Sequence, residues 1–182
     1  MATAKTGSFY LTETVILPAA SAAGTRVLGS IDLGAYVNVA TGQAIAIDQV
    51  DFVHQAGTDL GSDLAVMLVG NGAITTQLTD LNPGNAFVRA DNQSLVASGS
   101  LNIDQTNNIG TLASDIFPDN HGTQSLSESF MVVNDSLYLM TGNDGANTFA
   151  ELAVTARIRC RVVKLGSKDW MAIAIQSTAS DN

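Results

Sequence analysis

Apolar residues along this chain recur mostly at every second position, a period that predicts strands. The clearest run is Leu152 to Val163. Leu152, Val154, Ala156, Ile158, Cys160 and Val162 share one parity, while Ala153, Thr155, Arg157, Arg159, Arg161 and Val163 share the other. Successive side chains of a strand point to opposite faces, so the first set predicts a core face and the second a mostly polar one. Upstream, Ile45 and Ile47 keep one parity whereas Val50, Phe52 and His54 keep the other. The phase changes at Asp48-Gln49, where a continuous strand needs a bulge or a bend.

The same period, with apolar runs bounded by turn residues, predicts further strands over Ser8 to Leu17, Thr25 to Ile31, Ala35 to Ala40, Ile74 to Leu78, Ala86 to Arg89 and Ser94 to Ala97. Leu64 to Val69 is apolar at both parities, as in a central strand covered on two sides. Ser129 to Val133 and Leu137 to Met140 flank Asn134-Asp135-Ser136, which predicts a hairpin. Turn residues fill the intervals at Thr41-Gly42, Gly57 to Asp63, Asn71-Gly72, Asn82 to Asn85, Asn107 to Gly110, Pro118 to Gly122 and Gly142 to Asn147. Many short strands separated by Gly, Asn and Asp turns predict an all-β, single-domain antiparallel β-sandwich over residues 1–182. The end of the chain is the exception. Ser167 can cap a short helix through Ile175 with Asp169 in its first turn, although Trp170, Ala172 and Ala174 also suit the face of a last strand.

Composition narrows the picture. The chain has 182 residues, 46% hydrophobic and 14% charged, which supports one substantial core and excludes wholesale disorder. No apolar run approaches the ~18 residues of a membrane-spanning helix. Glu13, Thr12 and Thr14 interrupt the apolar stretch after Lys5, so a strand and a small-residue loop are expected there, not a signal peptide. With 8 basic and 17 acidic residues the net charge is -9, which disfavours direct contact with nucleic acid. One cysteine, Cys160, allows no internal disulfide, and its place in the apolar register predicts a buried thiol.

Positive charge is concentrated near the end of the chain. Arg157, Arg159 and Arg161 would project from one strand face about 6.5 Å apart, followed by Lys164 and Lys168. The stripe predicts either pairing with acidic residues of an adjacent strand or contact with an anion or an acidic neighbouring subunit. No zinc spacing, nucleophile elbow or phosphate loop is present, so neither an enzyme nor a cofactor is expected. The oxygen-rich segments Asn143 to Asn147 and Asp115 to Asn120 are the best calcium candidates, but neither has the twelve-residue ligand pattern with its closing glutamate.

Asn134-Asp135-Ser136-Leu137-Tyr138-Leu139, the Asn/Gly loop after it, and the strand Ala153 to Lys164 leading into Leu165-Gly166-Ser167-Lys168-Asp169-Trp170 form a pattern over about a third of the chain. This pattern resembles the single jelly-roll capsid proteins of tailless icosahedral viruses, particularly those that build a shell over an internal membrane. The resemblance implies two four-stranded sheets standing upright in a capsid, a location in the virion, and copies of itself and other capsid proteins as partners. It also implies proximity to an internal membrane and no direct contact with nucleic acid. The stretch Met1 to Gly7 carries only Lys5, unlike the basic arm of many RNA-virus coats. A self-assembling capsid subunit, major or minor, is therefore the expected function. The alternative from another class is a glycan-recognising fibre or adhesin head, which would need exposed aromatic platforms or a calcium loop.

Overall fold

In the computed structural model, residues 2–61, 63–114, 126 and 129–179 are described. Among these described residues ten strands precede one helix: β1 (Thr3–Ala4), β2 (Phe9–Leu17), β3 (Arg26–Asp32), β4 (Gln43–Ala56), β5 (Gly72–Thr79), β6 (Leu95–Asp104), β7 (Ile109–Ser114), β8 (Phe130–Val132), β9 (Ser136–Asn143), β10 (Leu152–Lys164) and α1 (Ser167–Ala179). They form two antiparallel sheets. The first has the order β2-β10-β4-β8, with β1 continuing the β2 edge along β10, and the second has the order β3-β9-β5-β6-β7. Strands from the first half of the chain pair with strands from the second in nested order: β2 with β10, β3 with β9, β4 with β8 and β5 with β6. That nesting, folded across two sheets, is a jelly roll, and β7 extends the second sheet by one strand.

The core lies between the sheets and follows the period-two pattern. Leu152, Val154, Ala156, Ile158, Cys160 and Val162 of β10 meet Ile74 and Leu78 of β5 and Leu137 and Leu139 of β9 within one cluster. The expected break in β4 is a β-bulge: Arg159 faces Gln49 and Cys160 faces Ile47, which leaves Asp48 as the extra residue. A second apolar cluster sits outside the first sheet, where Ala44, Ala46, Val133, Val163 and Leu165 are covered by Trp170, Ile173 and Ala174 of α1. The C-terminal segment is thus a helix. It starts at Ser167, with the Gly166 carbonyl accepting from the Trp170 N–H at 2.9 Å and Asp169 in the first turn. No helix among the described residues is long and apolar enough to cross a membrane.

Four local expectations are corrected. Asn134-Asp135-Ser136 does not close a hairpin: β8 pairs with β4 in the first sheet and β9 with β3 and β5 in the second, so the chain changes sheets there. Asn134 serves that crossing by donating to the Asp80 carbonyl at 3.0 Å. Leu64 to Val69 is not a strand but a 3-10 turn over Leu64–Val66, started by the Asp63 carboxylate accepting from the Ala65 N–H at 2.9 Å. Its apolar residues divide, Met67 and Leu68 plugging the end of the core while Val69 faces outward. Ala35 to Ala40 is not a strand: the Tyr36 and Val37 N–H groups turn back to the Leu33 carbonyl at 2.8 and 2.9 Å, and a 3-10 turn over Val39–Thr41 follows, capped by Asn38. Ala86 to Arg89 is held instead by the side-chain amide of Gln77, which bonds both main-chain groups of Val88 at 2.9 Å.

Candidate interaction surfaces

The arginines of β10 do share one outward face, but their surroundings differ. Arg161 is tied down within the molecule. Its guanidinium meets Asp48 Oδ1 at 2.7 Å, and the same oxygen accepts from Ser129 Oγ at 2.7 Å. Asp48 is only 2% exposed because the bulge turns it into the sheet, and the Arg161 side chain is 16% exposed. Arg157 is exposed and lies over the Tyr10 ring with 5.4 Å to its centroid. Asp51, directly across from Arg157, instead accepts both bonds of the Gln49 amide. Arg159 is half-buried between Tyr10 and Gln49. The stripe is therefore mixed: Arg161 supports the fold, and Arg157 presents its charge to the surroundings.

Lys164 and Lys168 are exposed at the end of β10 and the start of α1. The pairing of β1 with β10, with the Lys5 N–H on the Val162 carbonyl at 2.8 Å, brings Lys5 to the same end. Lys5, Lys164, Val39, Gly166 and Trp170 help to line a groove of about 700 Å³ there. All three lysines of the chain consequently gather at one end of the sandwich.

The opposite end is a crown of four connections, residues 18–25, 57–71, 105–108 and 144–151. Hydrogen bonds lock them together. The Ala20 N–H donates to Thr148 O at 2.6 Å, Asn147 N–H to Ser21 O at 3.0 Å and Val69 N–H to Ala146 O at 2.9 Å. Gln105 Nε2 donates to Leu64 O and Leu68 O at 3.0 and 2.9 Å, and Thr148 Oγ1 donates to Val66 O. From this framework Phe149 projects 96% exposed, with Leu60, Val69 and Ile109 also exposed. The four connections hold no lysine or arginine, and Asp59, Asp63, Asp144 and Glu151 around the apolar tips are all exposed. Isolated exposed apolar side chains are ordinary, but several on one fixed, acid-rimmed end make a candidate contact surface.

Among the described residues no three His, Cys, Asp or Glu side chains converge. Asn143 and Asn147 are buried and bonded to each other at 2.9 Å, so that calcium candidate uses its amides to close its own loop. Asp115 to Asn120 lies outside the described residues. His54 is pushed down to about 4 by burial and stays neutral at ordinary pH. Cys160 is fully buried, and its thiol is pushed up to about 12, first by burial and then by the charge of Asp48. No family model matches the chain, and no curated protein matches it in sequence.

Sequence reasoning found the arginine face but missed the crown, whose parts are loops far apart in the chain. One local signal was present. Phe149 sits among turn residues, outside every alternating run, where no strand could bury it.

Proposed function

We propose that the protein is a structural assembly subunit, a jelly-roll coat protein whose copies associate laterally in a viral capsid shell. The observation that carries this reading is Phe149, 96% exposed on a loop fixed by its neighbours. An aromatic side chain offers roughly 150–250 Å² for burial, and a platform already rigid loses little entropy when it is covered. Arg157 on the sheet face and the acid-rimmed crown supply opposite charges for contacts between copies. The jelly roll suits such a role because its loops and outer sheet faces can vary while the core between the sheets stays intact. On this reading the partners are copies of the chain and companion capsid proteins, and the location is the virion.

The test is the mass of the purified protein by light scattering over a concentration series, with imaging of the same samples. The wild type is expected to form oligomers or particles, and Phe149→Ser to remain largely at 18.9 kDa with an unchanged melting temperature. A wild type that stays monomeric at every concentration, with or without companion coat proteins, would overturn the reading and direct attention to ligands such as glycans.

A further inference from the structure

Asp80 directly follows β5 and is 2% exposed. Its side chain joins segments distant in the chain. Oδ2 accepts from Ser177 Oγ of α1 at 2.9 Å and from Asn134 Nδ2, in the β8–β9 connection, at 3.3 Å. Asn134 Nδ2 also lies 3.1 Å from Ser177 Oγ. Beside them Gln176 Nε2 donates to Gln93 Oε1 at 2.9 Å, a second tie between α1 and the sandwich. The other carboxyl oxygen, Oδ1, is buried without a hydrogen-bond partner. A cavity of about 260 Å³, lined by Asp80, Ser129, Phe130, Ile173 and Ser177 among others, lies along the seam between helix and sandwich.

This is an unfavourable place for a negative charge, since one oxygen has donors and the other has none. Arg161 reaches Ser129 of the same cavity at 3.4 Å, but its charge is paired with Asp48 at 2.7 Å, and no described cation bonds Asp80 itself. The groups around Asp80 are Ser177 and Gln176 from α1, Asn134 from the β8–β9 connection, Gln93 and Ser94 before β6, and Ser129 before β8, all uncharged. The charged residues of α1, Lys168 and Asp169, lie at its other end, about two turns or more away. Burial pushes the Asp80 carboxyl up from 3.8 to about 6, with the bonds from Ser177, from its own main-chain N–H and from Asn134 opposing the shift.

We propose that Asp80, Asn134 and Ser177 form a latch that holds α1 against the first sheet, tight in acid and looser toward neutral pH, with release uncovering the apolar patch beneath the helix. That patch is Ala44, Ala46, Val133, Val163 and Leu165, now covered by Trp170, Ile173 and Ala174. The sign follows from the raised proton affinity of the docked state. The carboxyl's contribution to docking is complete below about pH 4 and is lost as pH rises through about 6. Between pH 5 and pH 8 the docking equilibrium changes about tenfold. The latch does not depend on how copies associate.

Hydrogen exchange of α1 amides, corrected for intrinsic rates and measured from pH 5 to pH 8, reads this equilibrium directly. In the wild type, protection of α1 is expected to be about tenfold higher at pH 5 than at pH 8, while β10 shows no such slope. Asp80→Asn should remove the slope and hold the helix at a pH-independent level. Ser177→Ala, which removes a donor to the ionised form, should weaken docking at pH 8 and steepen the slope, and it supplies the test if Asp80→Asn fails to fold. Equal wild-type protection at both pH values would overturn the proposal. So would an undiminished slope in Asp80→Asn, or an unchanged one in Ser177→Ala.

Discussion

Replacing Arg161 with methionine separates the two roles within the β10 arginine row. Methionine keeps most of the aliphatic stem and removes the charge that faces Asp48 at 2.7 Å. Asp48, 2% exposed, would then be an anion inside the sheet that keeps its bond from Ser129 but has lost the guanidinium. Removing one partner of a buried pair costs about 3–5 kcal/mol, and the partial exposure of Arg161 favours the lower end, about 3 kcal/mol. For a domain of this size that is a fall of about 6–12 °C in melting temperature, measured by calorimetry at pH 7. Adding Asp48→Asn in the same chain should recover part of the loss, because a neutral amide can keep the Ser129 contact without a stranded charge. Arg157→Met is the control, expected within about 0.5 kcal/mol of the wild type because Arg157 is exposed. If Arg161→Met melted within about 1 °C of the wild type, the pair would not be a structural element of the first sheet and the division of the row would be wrong.

Cys160→Ser should cost about 1–3 kcal/mol in urea unfolding, since a hydroxyl would replace a thiol in a fully buried apolar row. The native Cys160 thiol, pushed up to about 12, should resist thiol reagents at pH 8 and react only as the protein unfolds. Gly42→Ala should lower stability by about 1–3 kcal/mol in the same assay, because φ is +69° there and a Cβ would stand 2.6 Å from the Leu165 carbonyl oxygen.

Where a residue's environment comes from its own strand, the chain could be read directly. The buried row of β10 and the bulge at Asp48 were visible as a period of two and as a break in it. Environments supplied by other segments could not be read this way. Asn134-Asp135-Ser136 has the composition of a tight turn, yet its amide bonds Asp80, fifty-four positions earlier in the numbering, and the chain crosses to the other sheet. Val88 looked like part of a strand because nothing nearby in sequence announced that Gln77 would satisfy its main chain. The candidate surfaces divide in the same way. The arginine face could be read within one strand, but that Arg161 is bound to Asp48 depends on the register of two strands. Lys5 joins Lys164 only through the β1–β10 pairing, and Phe149 is displayed only because two other connections, residues 18–25 and 57–71, hold its loop.

The position of β10 also determines when the first sheet can form. β10 lies between β2 and β4, which do not pair with each other, and both partners precede it in the chain. During synthesis β2 and β4 must therefore wait with unpaired edges until the ribosome has delivered residues 152–164. Pairings this distant in sequence close slowly, and waiting edges readily recruit one another between chains. A nascent chain stalled before Leu152 would hold two long strands without their shared partner. Crowded polysomes making this protein therefore depend on rapid delivery of residues 152–164, or on a chaperone that shields β2 and β4 until then.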